Sequence, residues 1–293
     1  MNRKQALEIA SNINNPIAIS LQLAGIVNDG EKTEKGTWAY FANKLNDWII
    51  GGMKADETPF TVVMKKGNKK LPFYAFSSLA IADCPGMGDC VKFCYSLKAW
   101  RYPAAFFRQV QNSLLIRFDP EKIRSEILAI PKKTTVRLFV DGDFNSVETL
   151  DFFMGVCKER SDLNFYGYSK SWLEFVSLDD GGKFDWPKNY LTNASSGSRH
   201  HRTGIENAFL ALSCVRGGFD AERVNQIHIK NKAYQDKANE GSREYRKELT
   251  SKLKLKSSKV FACPGNCGNC LPRGEHACGS LKFTGVTIGI GVH

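Results

Sequence analysis

No stretch of this chain reaches the roughly 18–20 uncharged apolar residues that cross a bilayer. Its opening, Met1-Asn2-Arg3-Lys4-Gln5-Ala6-Leu7-Glu8, brings an acid early and no apolar core, so it does not read as an export signal. These two absences predict a cytoplasmic protein without a membrane partner. Internal repeats and low-complexity runs are missing too, which excludes solenoid and fibrous architectures. Acid is scarce relative to base. Thirty Asp and Glu face 41 Lys and Arg, a formal net charge of +11, with a pI near 9.2. Such an excess favours polyanionic partners, DNA or RNA above all, through a term independent of base sequence.

What is present is globular. Apolar residues make up 42% and charged residues 24% of 293 positions, enough for a sizeable core. Residues 1–55 carry apolar residues at helical intervals over Lys4 to Ser11, Ile17 to Ile26 and Gly36 to Ile50, and read as a helical N-terminal extension. Residues 56–293 read as one cysteine-rich domain. Thr58 to Met64 and Leu71 to Phe76 look like strands joined by a basic turn. Helices are expected over Ala104 to Arg117, from Pro120, over Val147 to Arg160, over Trp172 to Val176 and over Tyr234 to Leu253. Strands are expected over Thr134 to Val140, Asn164 to Tyr168, Tyr190 to Ala194, Ala208 to Cys214, Val224 to Ile229, Val260 to Ala262 and Val286 to Val292. Roughly eight strands separated by helices or crossovers predict an α/β fold with a largely parallel sheet, and a (β/α) barrel-like closure suits the count.

Nine cysteines cannot all pair within one chain, and a reducing compartment turns clustered thiols toward metal binding or redox chemistry. Seven form two groups. The first is Cys84-x5-Cys90-x3-Cys94; the second is Cys263-x3-Cys267-x2-Cys270, followed by Cys278. Cys157 and Cys214 sit in apolar runs and read as core residues. Thiolates are soft ligands that select zinc, copper(I) or iron–sulfur clusters. The second group shares its spacing with enzymes that hold a [4Fe–4S] cluster by three cysteines. In those enzymes, however, the motif lies early and an aromatic residue precedes its last cysteine, where this chain has Asn269. The first group does not have the short paired spacing of zinc fingers. An iron–sulfur cluster, a structural zinc and unmetallated thiols all remain open on spacing alone. Neither group completes a conventional four-thiolate site, so the two are expected to meet at one centre. Cys90, Cys94, Cys267 and Cys270 are the preferred ligands, with Cys84 and Cys263 next.

Other candidates stand at predicted strand ends, where a barrel faces its site. Asp141-Gly142-Asp143 ends one strand, and its acids suit a hydroxyl, an amine or a metal-bound water. Alternatively, Asp143 or Asn145 caps the following helix. Lys170 continues the parity of Tyr166 and Tyr168 and suits an anion. Asp141, Asp143 and Lys170 are the candidate catalytic residues. The loop Asn193 to Arg202 is polar and cationic. Its neighbours His200 and His201 point in divergent directions and make a poor metal pair. Residues 230–259 carry ten Lys and Arg, Lys252, Lys254 and Lys256 among them.

Several of these stretches together resemble the phage gene product 88-like domain family. They are Cys84-Pro85-Gly86, Cys90, Cys94-Tyr95, Arg101-Tyr102, Arg108 with Asn112, Val136 to Phe144, Phe165 to Ser171, Cys263-Pro264, Cys267 with Cys270, and His293. The resemblance spans roughly residues 60–293. It implies a radical-enzyme-type barrel carrying an iron–sulfur cluster, in the cytoplasm of the host cell if the chain is phage-encoded, with no settled activity. It also favours [4Fe–4S] over zinc. The expected function is therefore an iron–sulfur protein acting on or binding nucleic acid or a nucleotide. The competing expectation is a non-catalytic nucleic-acid-binding protein with a structural zinc or iron–sulfur centre.

Overall fold

The computed structural model describes residues 1–28, 34–65, 71–216, 226–229, 260–263, 277–280 and 287–291. The expected helix over 234–253, the basic segment 230–259, Cys267, Cys270 and His293 lie outside the described residues.

Three helices come first: α1 (Arg3–Ser11), α2 (Pro16–Asn28) and α3 (Trp38–Ile50). Asn2 caps α1 reciprocally. Its side chain accepts from Gln5 N–H at 3.0 Å, and its own N–H donates to the Gln5 side chain at 2.7 Å. Thr37 caps α3 by accepting from Tyr40 N–H, and Gly51 follows that helix. Ile9, Leu23 and Leu45 belong to the same buried cluster as Phe106 and Phe153 further along the chain.

Next come α4 (Ser96–Ala99), α5 (Pro103–Phe118) and α6 (Pro120–Leu128). Proline opens the last two, where its missing N–H has no helical partner to lose. The central sheet is β1 (Tyr74–Ala75), β2 (Thr135–Leu138), β3 (Asn164–Ser169) and β4 (Tyr190–Ala194), parallel throughout in the order 1-2-3-4. The β1–β2 crossover contains α4 to α6, α7 (Val147–Glu159) and α8 (Trp172–Asp179) make the next two, and α9 (Gly204–Ala211) follows β4. A second parallel sheet orders β5 (Gln226–Ile229), β7 (Thr287–Gly291) and β6 (Val260–Ala262) as 5-7-6. The fold is thus mixed α/β with a parallel sheet. No helix among the described residues is long and apolar enough to cross a membrane.

Strand alternation gives the central sheet two unlike faces. Val136, Leu138, Phe165 and Tyr190 enter the apolar cluster. There Phe144 meets Phe139 at 4.5 Å and Phe175 at 5.4 Å between ring centroids. The opposite parity carries Arg137, Tyr166, Tyr168 and Asn193, a polar and aromatic face.

Three local expectations need correction. Among the described residues, the strand pair over 58–76 is met by β1 and an antiparallel bridge between Met64 and Ala75. Side chains of α5 take the place of a partner strand there. Gln111 accepts from Phe60 N–H at 2.8 Å and donates to Phe60 C=O at 2.9 Å, while Asn112 donates to Val62 C=O at 3.0 Å and Ser77 C=O at 2.8 Å. Ala208 to Cys214 does not form the expected strand. Its first half is the end of α9, because a short apolar run carries no periodicity that separates helix from strand. Only Val215 pairs with the sheet, by a parallel bridge to Thr192. Finally, Ser146 caps α7 by accepting from Thr149 N–H at 3.2 Å, so neither Asp143 nor Asn145 does.

Candidate functional site

In a parallel sheet all carboxyl ends point the same way, and the loops beyond them form one crevice. After β2 the backbone turns through Phe139 at φ 51° and Gly142 at φ 75°, which sets Asp141 and Asp143 side by side on the crevice wall. After β3 comes Lys170, and after β4 comes Ser195. Both line the same pocket, and Lys170 Nζ donates to Ser195 Oγ at 2.7 Å.

The two carboxylates are already engaged. Asp143 accepts from Phe144 N–H at 2.9 Å, Ser169 Oγ at 2.9 Å, Lys170 N–H at 2.7 Å and Ser171 N–H at 3.3 Å. Asp141 accepts from Ser96 Oγ at 2.5 Å and Ser77 Oγ at 3.4 Å. Burial raises both carboxyls above their ordinary range, against the pull of these donors. Asp143 therefore acts as a clamp that shapes the β3–α8 turn. Of the three candidate catalytic residues, Lys170 presents an ammonium group to the pocket, held by Ser195.

The first cysteine group forms the facing wall. Cys84, Cys90 and Cys94 are free thiols, part-buried, and line this pocket with Tyr95 and Arg137. Burial, and then Asp143, push the Cys84 thiol well above its ordinary value. The loop is sewn to the rest of the crevice through its backbone. Arg199 N–H donates to Gly86 C=O at 3.0 Å, Cys90 N–H donates to Gly197 C=O at 3.3 Å, and Arg199 Nη1 reaches Pro85 C=O at 3.1 Å. These approaches require glycine. A Cβ on Gly86 would stand 1.6 Å from the Lys170 carbonyl oxygen, and Gly197 sits at φ 82° with Cys90 Cβ only 2.9 Å from where its own Cβ would be.

Of the later cysteines, Cys278 meets Tyr168. Its hydroxyl donates to Cys278 Sγ, and its ring lies 5.1 Å from the Arg137 guanidinium carbon. Asn193 Nδ2 donates to Cys278 C=O at 2.9 Å, while Arg216 Nε donates to Asn193 Oδ1 at 2.6 Å. Burial and then Cys278 raise the Tyr168 hydroxyl well above its ordinary value, with Cys263 adding to the shift. Cys278 thus touches a residue of the pocket wall. Cys157 and Cys214 are buried in the core. Among the described residues, no three His, Cys, Asp or Glu side chains are gathered so as to hold a metal ion. Of the six cysteines expected as ligands, Cys84, Cys90, Cys94 and Cys263 are described. His201 pairs with the buried Glu206 at 3.1 Å.

Sequence reasoning does not single out Arg137, Ser195 or Asn193 individually. Parity offers a signal for Arg137, which sits opposite Val136 and Leu138 on the polar face.

A family model for gene product 88 matches residues 53–215, more than half of the sequence. The chain belongs to the gene product 88 family. That match begins just after α3 and takes in Cys84, Cys90, Cys94, Asp141, Asp143, Lys170 and Ser195. It stops short of Cys263 and of every later cysteine, so the likeness is narrower than the 60–293 span expected from motifs. No curated protein and no solved structure matches the chain.

Proposed function

We propose that this chain is a phage-type iron–sulfur protein. Thiolates of both cysteine groups hold a [4Fe–4S] cluster at the carboxyl ends of the sheet, and the protein acts on or binds nucleic acid or a nucleotide in the host cytoplasm. The parallel strands of the two sheets would close barrel-like around that site. One observation carries the reading. The three thiols of the first group line the same pocket as Tyr168, whose hydroxyl donates to Cys278 of the other group. The donor chemistry fits a soft metal, because thiols dominate this wall and both pocket carboxylates are occupied by hydroxyl and amide donors.

Cys90 and Cys94, with Cys267 and Cys270, are the proposed principal ligands, and Cys84 and Cys263 stand in reserve. When bound, such a cluster supplies electron transfer or Lewis acidity. Lys170, steadied by Ser195, would orient an anionic group of the substrate, and Asp141 would hold a hydroxyl or amine. Asp143 would fix the backbone that carries Lys170.

The saturated hydrogen bonding of Asp143 favours a second reading, a non-catalytic nucleic-acid-binding protein whose zinc or cluster only staples the loops together. Anaerobic purification with an absorption spectrum and iron, sulfide and zinc analysis tests the centre. Brown protein with broad visible absorbance that bleaches on reduction is expected. Colourless protein with stoichiometric zinc and no sulfide would overturn the cluster. A spectral change on adding a nucleotide would favour the enzyme over the staple.

A further inference from the structure

The segment that bears the first cysteines leaves the pocket wall at Tyr95 and Ser96 and runs on into an exposed stretch, a rim unlike the pocket lining. Between Cys84 and Tyr102 the sequence has three cations, Lys92, Lys98 and Arg101, and one acid, Asp89, which pairs with Lys92 at 2.6 Å. All three cations are exposed. From the loop after β4, Arg199 is exposed while its guanidinium is tethered to the carbonyl of Pro85, next to Cys84. Two tyrosines stand among these charges. Tyr102 is 66% exposed and Tyr95 is 45% exposed. Tyr95 also reaches inward, donating its hydroxyl to the carbonyl of Val140, and so joins the rim to the pocket.

These groups have a common frame. Helix α4 and its flanks set Tyr95 and Lys98 one turn apart, and Arg101 Nε donates to Lys98 C=O at 3.3 Å, which holds the following turn close. Trp100 behind them is buried and donates to Gln109 at 3.1 Å, so the rim stands on the core and not on a loose loop. Exposed large aromatics need an explanation when they cluster with cations beside a pocket. A π-face open to solvent stacks on an unpaired base, and neighbouring Lys and Arg follow the phosphates. This is the combination by which proteins bind single strands without reading sequence. A duplex offers its phosphates but hides its base faces, and an acidic peptide would use the cations and leave the rings without a planar partner.

We propose that Tyr95, Lys98, Arg101 and Tyr102, with Arg199 tethered at Pro85, form a binding track for single-stranded nucleic acid that leads a nucleotide toward the cysteine pocket. The inference rests on the nucleic-acid reading above and deepens it. It names the form of the ligand and moves the contact from the basic segment 230–259 to the pocket rim.

The test uses the full chain, purified without oxygen, and anisotropy of a labelled single-stranded oligonucleotide of about 12 nucleotides, within the site sizes of such proteins. The comparison probes are a hairpin duplex of the same sequence and a polyglutamate competitor, at about 50 mM salt. The single strand should bind at least about tenfold more tightly than the duplex, a gap of stacking size. Tyr102→Ala should weaken binding by about 5- to 150-fold, the worth of one base stack, with the salt slope unchanged. Tyr102→Phe, which keeps the π-face, should bind as the native chain does. Lys98→Gln with Arg101→Gln should lower the salt slope by about 0.7 for each phosphate left without its cation. Equal affinity for duplex, competition by polyglutamate as effective as by unlabelled oligonucleotide, or native affinity in Tyr102→Ala would overturn the proposal. Suppose instead that the strand binds and only the triple change Lys252→Gln, Lys254→Gln and Lys256→Gln abolishes it. The rim then falls while the nucleic-acid reading stands. Absence of binding by the metal-replete chain to every probe removes both.

Discussion

Asp143 shows how a residue can be conspicuous in sequence and yet have its role fixed by tertiary structure. It stands at the end of a β-branched run, before a helix, where a crevice-facing acid is expected, and the structure puts it on the crevice wall. Its four donors are its own neighbour Phe144 and three groups from Ser169 to Ser171, 26 to 28 residues away. No local pattern announces that arrangement. Asp143→Ala should leave buried N–H groups unsatisfied and cost about 3 kcal/mol in a urea titration, whereas Asp143→Asn, which keeps one acceptor oxygen, should cost less. An equal and negligible loss in both variants would mean the clamp contributes nothing. Lys170 was legible by strand parity and Cys84, Cys90 and Cys94 by spacing. Cys278 trails the second group in sequence, and its contacts with the Tyr168 hydroxyl and the Asn193 side chain come from tertiary structure.

At the scale of elements, most helices and central strands were readable from periodicity and from punctuation such as Pro120, which starts a helix, and Gly51, which follows another, whereas the cap Ser146 was passed over for its neighbours. The failures share a cause. Over 58–64 and 208–214 the apolar residues are real core residues, but their backbone partners are side chains of α5 or another turn of helix, which strand propensity does not register. Side chains fasten elements elsewhere as well. Arg160, at the end of α7, donates to the carbonyls of Ile127 and Leu128 in the last turn of α6 and of Ile130 beyond it at 2.7 to 2.9 Å, and grips Asp162 by two hydrogen bonds of 2.8 and 2.9 Å. That grip holds the Asp162 carboxyl below its ordinary value. A lowered carboxyl stabilises the fold above the unfolded-state value of about 3.9, and this stabilisation is lost as pH falls through the lower folded value. Thermal melts from pH 6 to about 3, the range that spans this carboxyl, should therefore show a shallower acid limb in Asp162→Asn than in the native chain. Parallel curves would remove the pair from the account.

For the molecule as a whole, the +11 charge sets an expectation that any single contact only modulates. Log affinity for a nucleic acid should fall linearly with log salt, and the triple change Lys252→Gln, Lys254→Gln and Lys256→Gln should flatten that line if the segment meets phosphates. An unchanged slope, with affinity intact, would confine the phosphate contacts to other surfaces. The side-chain ties that hold the pocket together also bear on how it comes into being. Pro85 meets Arg199 across 114 positions, and Tyr168 meets Cys278 across 110. Contacts so distant in sequence form late and slowly, because the intervening chain must be closed before they return any stabilisation. Until then the thiols of both groups stand exposed to oxidants and to mispairing with one another. Refolding in air should therefore trap scrambled disulfide isomers, and recovery of an intact pocket should depend on reductant being present before the chain compacts rather than after.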